Sequence, residues 1–334
     1  MRIALDAMGS DACPGPDVAG AVLAAREYGD TIVLIGDRDR VQAELARHDT
    51  RGLNLEIVHA PEAITMSDSP AIAGKSKRQS SMHTGMNLVK TGDADAFVTA
   101  GNTGAALVIA TVHTLHRIEH VKRPALSSII NFGYDTVIML DIGANADSRP
   151  EFLEQFAIMG ALYAKHALGQ ENPRVALLSN GEEAGKGSEL VRDAAARLSK
   201  LPLNFIGNVE PKEVMRGAAD VVVTDGFTGN IFIKTAEATL SMMFRLLRDE
   251  IKSNVLTMTG GVLAKPAFRR AFHRVDPAEI GGAPLLGVDG VVIVGHGSSD
   301  ARAVKNAIRQ ARMAVSGNVI QAIRDGLIQT ANPV

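Results

Sequence analysis

Two stretches of this chain, 125 positions apart, read as near copies: residues 94–105 are ADAFVTAGNTGA and residues 219–230 are ADVVVTDGFTGN. Each begins as a short apolar strand, breaks into a Gly-x-Thr-Gly turn and continues as a helical pattern. Glycines let the backbone approach a bound group closely, threonines add hydroxyl donors, and N–H groups at a helix start face an anion. The chemistry this suits is the holding of a phosphate or an oxyanion. Candidate ligands are Gly101, Asn102, Thr103 and Gly104 in the first copy, and Asp225, Thr228, Gly229 and Asn230 in the second. A third glycine loop, NGEEAGKG at 180–187, sets Lys186 between two glycines. Gly181 stands five residues before Lys186 rather than six, and Gly187 follows it, so the nucleotide-triphosphate loop spacing is not met. The lysine is left as a cation for an anion held on backbone amides. Asp141, Asn145 and Asp147 fall where a strand meets the next helix, as ligand-orienting groups or as ordinary caps. His296, Ser298 and Ser299 precede the last helical pattern and offer a base and two hydroxyls, or a capped core histidine.

These groups need strands to carry them. RIALDAM (2–8), TIVLIG (31–36), LNLEIVH (53–59), ALSSIIN (125–131), TVIML (136–140) and VALLS (175–179) alternate with helical runs. Such alternation predicts a parallel sheet covered by helices on both faces, with ligands beyond the carboxyl ends of the strands. PLLGVDGVVIVG predicts a hairpin turning at Val288-Asp289-Gly290, and a final helix follows with Val304, Ile308, Ala311, Val315 and Val319 on its core face. The second twin loop launches a long amphipathic helix through Leu240, Met243, Phe244, Leu247 and Ile251. Residues 253–276 then expose Leu256 and Leu263 around an expected break at Gly260-Gly261, ahead of Lys265, Arg269, Arg270, His273 and Arg274. An apolar hinge beside a basic stretch suits an anionic bilayer, an acidic carrier protein or a packed dimer interface. The basic run from Lys75 to Ser81 reads as a solvated helix start, with phosphate or an acidic partner as the alternative.

Bulk properties narrow the classes. A length of 334 residues implies one large α/β unit or two lobes. A net charge of −2 and 4% aromatic residues argue against nucleic acid as a partner. Cys13 is the single cysteine, which excludes an internal disulfide and suits a reducing cytosol; before Pro14, with no base nearby, it reads as a bystander. MRIALDAMG reads as a first strand rather than a signal peptide, and no apolar window approaches a membrane span, so a soluble cytoplasmic protein is expected. His113 and His116 lack a third ligand and read as helix surface, so no metal is expected.

Taken in order, LDAMGSD (5–11), TAGNTGA (99–105), LDIGANAD (140–147), LLSNGEEAGKG (177–187), VVTDGFTGN (222–230) and GGAPLLGVDGVVIVGHGSS (281–299) span nearly the whole chain. This set closely resembles the bacterial phosphate acyltransferases, the acyl-ACP:phosphate transacylases of phospholipid synthesis. Ser10 departs from the pattern, which usually has a second glycine there. The resemblance implies a three-layer α/β/α fold with a mostly parallel sheet, isocitrate-dehydrogenase-like or phosphotransacetylase-like. It implies one unit over 1–334 of two closely associated lobes, a protruding helical segment at 235–280, a homodimer and no cofactor. The implied reaction joins long-chain acyl-ACP and inorganic phosphate into acyl phosphate, for a membrane glycerol-3-phosphate acyltransferase to consume. The implied place is the inner face of the membrane, peripherally. In that chemistry Lys186 neutralises the phosphate or oxyanion and Asn230 donates beside the reacting carbonyl. The amides around 102–104, 228–229 and 298–299 cradle phosphate, and Asp6, Asn145, Asp225 and His296 orient the shell. Leu256, Leu263, Lys265, Arg269, Arg270 and Arg274 meet the carrier or the membrane. The loops 101–104, 185–187 and 226–230 are expected to open onto one cavity. Competing readings are a short-chain phosphotransacetylase using acyl-CoA, a non-catalytic membrane scaffold, and a metal- and NAD-dependent dehydrogenase. The last lacks clustered aspartates and an adenine loop.

Overall fold

Glycine and proline punctuation cuts the chain into short apolar runs, and in a computed structural model these form one eleven-stranded sheet. The structure describes residues 1–131 and 136–331; residues 132–135 and 332–334 of the expected 1–334 unit lie outside the described residues. The first half runs β1 (Arg2–Asp6), α1 (Gly15–Tyr28), β2 (Thr31–Gly36), α2 (Arg38–Leu45), β3 (Leu55–His59), α3 (Pro70–Ser76), α4 (Ser81–Thr91), β4 (Ala96–Thr99), α5 (Thr103–Val108) with a π-helical turn (Ile109–His113), and β5 (Ala125–Asn131). The second runs β6 (Thr136–Leu140), α6 (Pro150–Leu168), β7 (Val175–Leu178), α7 (Glu189–Leu198), β8 (Phe205–Val209), α8 (Pro211–Val214), β9 (Val221–Val223) and α9 (Gly226–Ile251). After these come α10 (Val255–Val275), β10 (Ala283–Leu286), β11 (Val291–Val294), α11 (Ala301–Ser316) and α12 (Val319–Ala331).

Strand order is β3-β2-β1-β4-β11-β10-β5-β6-β9-β7-β8. Neighbours are parallel except at β11/β10, β10/β5 and β5/β6. The two-residue side-chain period of a strand decides what each face buries. Ile3, Leu5, Ile32, Leu34, Ile138, Leu140, Val221 and Val223 point into the core beneath α1, α6 and α11. Ala4, Val33 and Ile35 point the other way, under α4 and α5, and Val137, Met139 and Val222 do so in the second half. Helices therefore cover both faces, as expected.

Three local expectations are corrected. The final helix is two, because Gly317 is pressed against the α6 backbone and Asn318 takes φ 50, which closes the helix before Val319. The helix expected to open directly at His296–Ser299 begins at Ala301, where Asp300 caps α11, accepting from the Ala303 N–H at 2.8 Å. The break at Gly260-Gly261 is absent: α10 runs unbroken through both glycines and through Pro266. A Cβ on Gly261 would lie 2.4 Å from the Ile251 side chain, so that glycine permits close approach of α9 rather than bending. No residue of α10 is buried, and Val255, Leu256 and Leu263 are 81%, 82% and 79% exposed. The hairpin is fixed at its base, where Arg302 pairs with Asp276 and Glu279, and His273 meets Glu279 at 3.0 Å. His273, Asp276 and Glu279 are grouped closely enough for a cation, but Arg302 already supplies the positive charge. Among the described residues no helix is long and apolar enough to cross a membrane.

Candidate active site

Strand direction divides the expected site residues into two sets. Between β4 and β9 lie five strand steps, about 24 Å at the usual strand spacing. Three of those steps are antiparallel, so β4 and β9 run in opposite senses and their turns leave at opposite ends of the strands. The copies are alike locally, but the central antiparallel strands separate them.

The first set gathers where β1, β4 and β11 end. Asp6 accepts from the Met8 N–H at 3.0 Å and from the Thr99 hydroxyl at 2.8 Å, and the Gly101 N–H donates to Thr99 Oγ1 at 3.0 Å. A Cβ on Gly9 would lie 2.9 Å from the Gly101 nitrogen, so glycine is what lets these two turns touch. Asn102 caps α5 through the Ala105 N–H, and its amide donates to the Thr65 and Asp68 carbonyls. It is only 7% exposed: residues 65–68 of the chain itself close over this turn beside Thr103 and Gly104. Beyond β11, the Ser298 N–H donates to His296 Nδ1 at 3.2 Å and the Ser298 hydroxyl lies 2.8 Å from the same nitrogen. Ser299 donates to the His296 carbonyl at 2.5 Å. This hydroxyl, like most polar groups here, is spent inside the protein. Behind them Ser10 donates to the buried Asp17 carboxylate at 2.6 Å, and burial pushes the Asp17 pKa up to about 7.

The second set gathers where β6, β9, β7 and β8 end, all parallel and so all ending on one edge. Asp141, fully buried, closes the turn after β6. Its carboxylate accepts from the Leu126, Gly143 and Ala144 N–H groups at 3.0–3.1 Å, and from the Asn145 N–H and side-chain amide at 2.6 and 2.9 Å. Burial raises its pKa against the opposing pull of those donors. The turn then presents two carbonyls to α9: Ile142 accepts from Asn230 Nδ2 at 3.0 Å and Asn145 from the Gly226 N–H at 2.8 Å. Asp225 caps α9, taking the Thr228 N–H at 2.8 Å and the Thr228 hydroxyl at 2.7 Å. The Gly229 N–H donates to the Asp225 carbonyl at 2.9 Å. The expected phosphate cradle on 228–229 is thus corrected, because the cap uses those donors. Among the described residues the Phe227 N–H is the first-turn amide without a partner.

Next to it, after β7, the 180–187 loop is held by side chains. The Gly187 N–H donates to Asn180 Oδ1 at 3.1 Å, and Asn208 Nδ2 donates to the Glu183 carbonyl at 3.1 Å. The Lys186 stem covers Gly181, and its ammonium is exposed with no ion pair among the described residues. Lys186, on the loop after β7, and Asn230, in the second turn of α9 after β9, therefore follow adjacent strands, about 4.8 Å apart at the strand level, and both are exposed at the rim where these strands end. Phe227, 63% exposed, stands on that rim one helical turn before Asn230. Phe227, Asn180 and Asn208 were not singled out from the sequence. Asn208 lies on β8, a strand that periodicity missed, and Phe227 sits where the first copy has Asn102, which a comparison of the twins could have flagged. A separate cavity of about 270 Å³ lies between the ends of α6 and α11, lined by His166, Arg309, Arg312 and Ser316. It is remote from both sets, and its arginines already bind Asp30 and the Glu279 carbonyl.

Residues 1–322 match the family model described as "Fatty acid synthesis protein". The phosphate acyltransferase of Geobacter sp. (strain M21) is 46% identical over 309 residues, covering 92% of this chain and 88% of that one. That of Pelotomaculum thermopropionicum is 45% identical over 327 residues, covering 98% and 95%. Among solved structures, a phosphotransacetylase from Streptococcus pyogenes superposes with a TM-score of 0.59 at 17% identity, covering 97% of this chain and 94% of that chain. The EutD phosphotransacetylase from Staphylococcus aureus gives 0.56 at 17% identity, covering 94% of each. At such identity these two establish the fold alone.

Proposed function

This chain belongs to the fatty acid synthesis protein family and is an acyltransferase, a phosphate acyltransferase by its relatives; from that premise we propose that it moves a long-chain acyl group from an acyl carrier protein thioester to inorganic phosphate. The observation that carries the reading is that β7 and β9 are neighbours and are followed by an exposed Lys186 without an ion pair among the described residues and an exposed Asn230. Phosphate is a competent nucleophile and a thiolate an acceptable leaving group, so the chain need supply no nucleophile of its own. A phosphate oxygen attacks the thioester carbonyl carbon, the C–S bond breaks, and the proton of hydrogen phosphate passes to the sulfur. Acyl phosphate and free carrier thiol leave. The work left to the protein is positioning and stabilisation of the developing oxyanion. Lys186 neutralises the incoming phosphate, the Phe227 N–H and the α9 dipole face the anion, and Asn230 donates beside the reacting carbonyl. Asn145 and Asp225 hold the turn and the helix start. Asp6, Gly101–Gly104, His296, Ser298 and Ser299 shape the first-lobe edge.

The carrier and the membrane are met by the α9–α10 hairpin. Its tip exposes Leu256 and Leu263, and Lys265, Arg269 and Arg270 are exposed without ion pairs among the described residues, next to Arg274. The same apolar faces suit a homodimer, and the acyl phosphate would pass to a membrane acyltransferase. The test is to supply phosphate with palmitoyl-ACP or with acetyl-CoA and trap acyl phosphate as the hydroxamate. Turnover of palmitoyl-ACP well above acetyl-CoA is expected. The reverse preference would make the chain a short-chain phosphotransacetylase, and no hydroxamate from either donor would refute the reading.

A further inference from the structure

Asp141 does none of the work assigned above, yet the second-lobe edge is built around it. It is 0% exposed, it follows β6, and it takes donors from two directions. The Leu126 N–H reaches it from β5 at 3.1 Å, and four donors reach it from the turn 143–145. Two carboxylate oxygens offer about four lone-pair positions, so five donors saturate them. No lone pair is left for substrate. What the saturated carboxylate fixes is the path of the next four residues.

That path ends at the groups the reaction uses. The Ile142 carbonyl, one residue on, accepts Asn230 Nδ2 at 3.0 Å, and the Asn145 carbonyl accepts the Gly226 N–H at 2.8 Å. A Cβ on Gly226 would lie 2.8 Å from Asp141 Oδ2, and one on Gly229 2.0 Å from the Asp141 carbonyl oxygen. Both glycines of the α9 turn are thus packed on this one residue. A shift of the 141–145 turn would move the acceptor that aims Asn230 and the carbonyl that seats the start of α9. The Gly143 φ of 144° would hold an L side chain only with strain, so the turn has little freedom to compensate.

We infer that Asp141 is a positioning residue of the transferase reaction, acting on Asn230 and on the amide-bearing start of α9 through the 142–145 turn. The inference rests on the role given to Asn230, and a double-mutant cycle separates the two. Replacing the acid by its amide, Asp141→Asn, swaps an acceptor for a donor facing N–H groups and lets the turn move. With native Asn230, kcat should fall about 100-fold, the cost of a small misplacement of an aimed group, with KM for palmitoyl-ACP nearly unchanged. In an Asn230→Ala background the same change should cost about tenfold at most, because only the start of α9 remains to aim. Equal losses in both backgrounds would overturn the inference while leaving Asn230 in place. Full activity of Asn230→Ala alone would overturn both. Should Asp141→Asn fail to fold, Asn145→Ala gives the same cycle. It removes the amide bonds to Asp141 Oδ2 at 2.9 Å and to the Pro124 carbonyl at 2.7 Å and leaves the carboxylate. Non-additivity with Asn230→Ala supports the inference there, and additivity overturns it.

Discussion

Replacing Asp17 by asparagine should stabilise the protein at neutral and alkaline pH and do little in acid. The Asp17 carboxyl is fully buried, one oxygen takes the Ser10 hydroxyl at 2.6 Å, and the other has no partner. Burial pushes its pKa from 3.8 up to about 7, so the folded protein keeps a proton that the unfolded chain has already released. For a carboxyl raised on folding, stability is full below the unfolded value and is lost as pH climbs toward the folded one. Asparagine imitates the protonated form at every pH and has no such loss. Between pH 4 and pH 8 the advantage of Asp17→Asn should grow by about 4 kcal/mol, from roughly three pKa units at 1.36 kcal/mol each. For a chain of this length that is about 6 °C in Tm. The assay is thermal unfolding of both proteins at half-unit pH steps, followed by circular dichroism. Taking the difference between proteins cancels every other titrating group. Parallel curves across this range would refute a buried, proton-retaining Asp17. Ser10 supplies the bond that this carboxyl keeps.

Other outcomes follow from single contacts. His83, buried against α3, has its pKa lowered from 6.5 to about 4, so its share of stability is present above pH 6.5 and is lost on acidification toward 4. Asn in its place, keeping an acceptor for Ser80, should flatten the acid limb of the Tm profile; an unchanged limb would refute this. Gly229→Ala puts a methyl 2.0 Å from the Asp141 carbonyl oxygen and must displace α9, so activity should fall at least about 100-fold. A Gly229→Ala protein of native activity would show that the start of α9 is not held where the reaction needs it. Charge reversal at Arg269 and Arg270, both exposed, should weaken binding to carrier protein or anionic vesicles at least about tenfold. Unchanged binding to both would remove the hairpin from docking.

Much of this architecture was legible before any coordinates. Strands at 31–36 and 125–131 begin and end where the sequence predicts, because Gly36 and the Pro124 boundary close the apolar runs. The twin turns do start helices, and Lys186 does lie on a loop between a strand and a helix. What was illegible is pairing. Nothing within 94–105 or 219–230 states that β11, β10, β5 and β6 intervene, three pairings of them antiparallel, so the near copies give no sign of how far apart in the sheet they stand. Capping was the second gap. Asp225 reads as a ligand for substrate until its oxygens are seen occupied by Thr228. Gly260 and Gly261 misled differently: glycine costs a helix about 1 kcal/mol, and only the contact with Ile251 explains why one is tolerated.

The central claim is that acyl transfer happens on the edge formed by the loop after β7 and the start of α9 after β9. Its most direct measurement is the single-turnover rate of acyl hydroxamate formation from palmitoyl-ACP and phosphate in Lys186→Ala and in Asn230→Ala. Losing an aimed donor or cation at a developing oxyanion should slow each at least about 100-fold with unfolding temperatures unchanged. Near-native rates in both variants would contradict the account and move the chemistry elsewhere on the molecule.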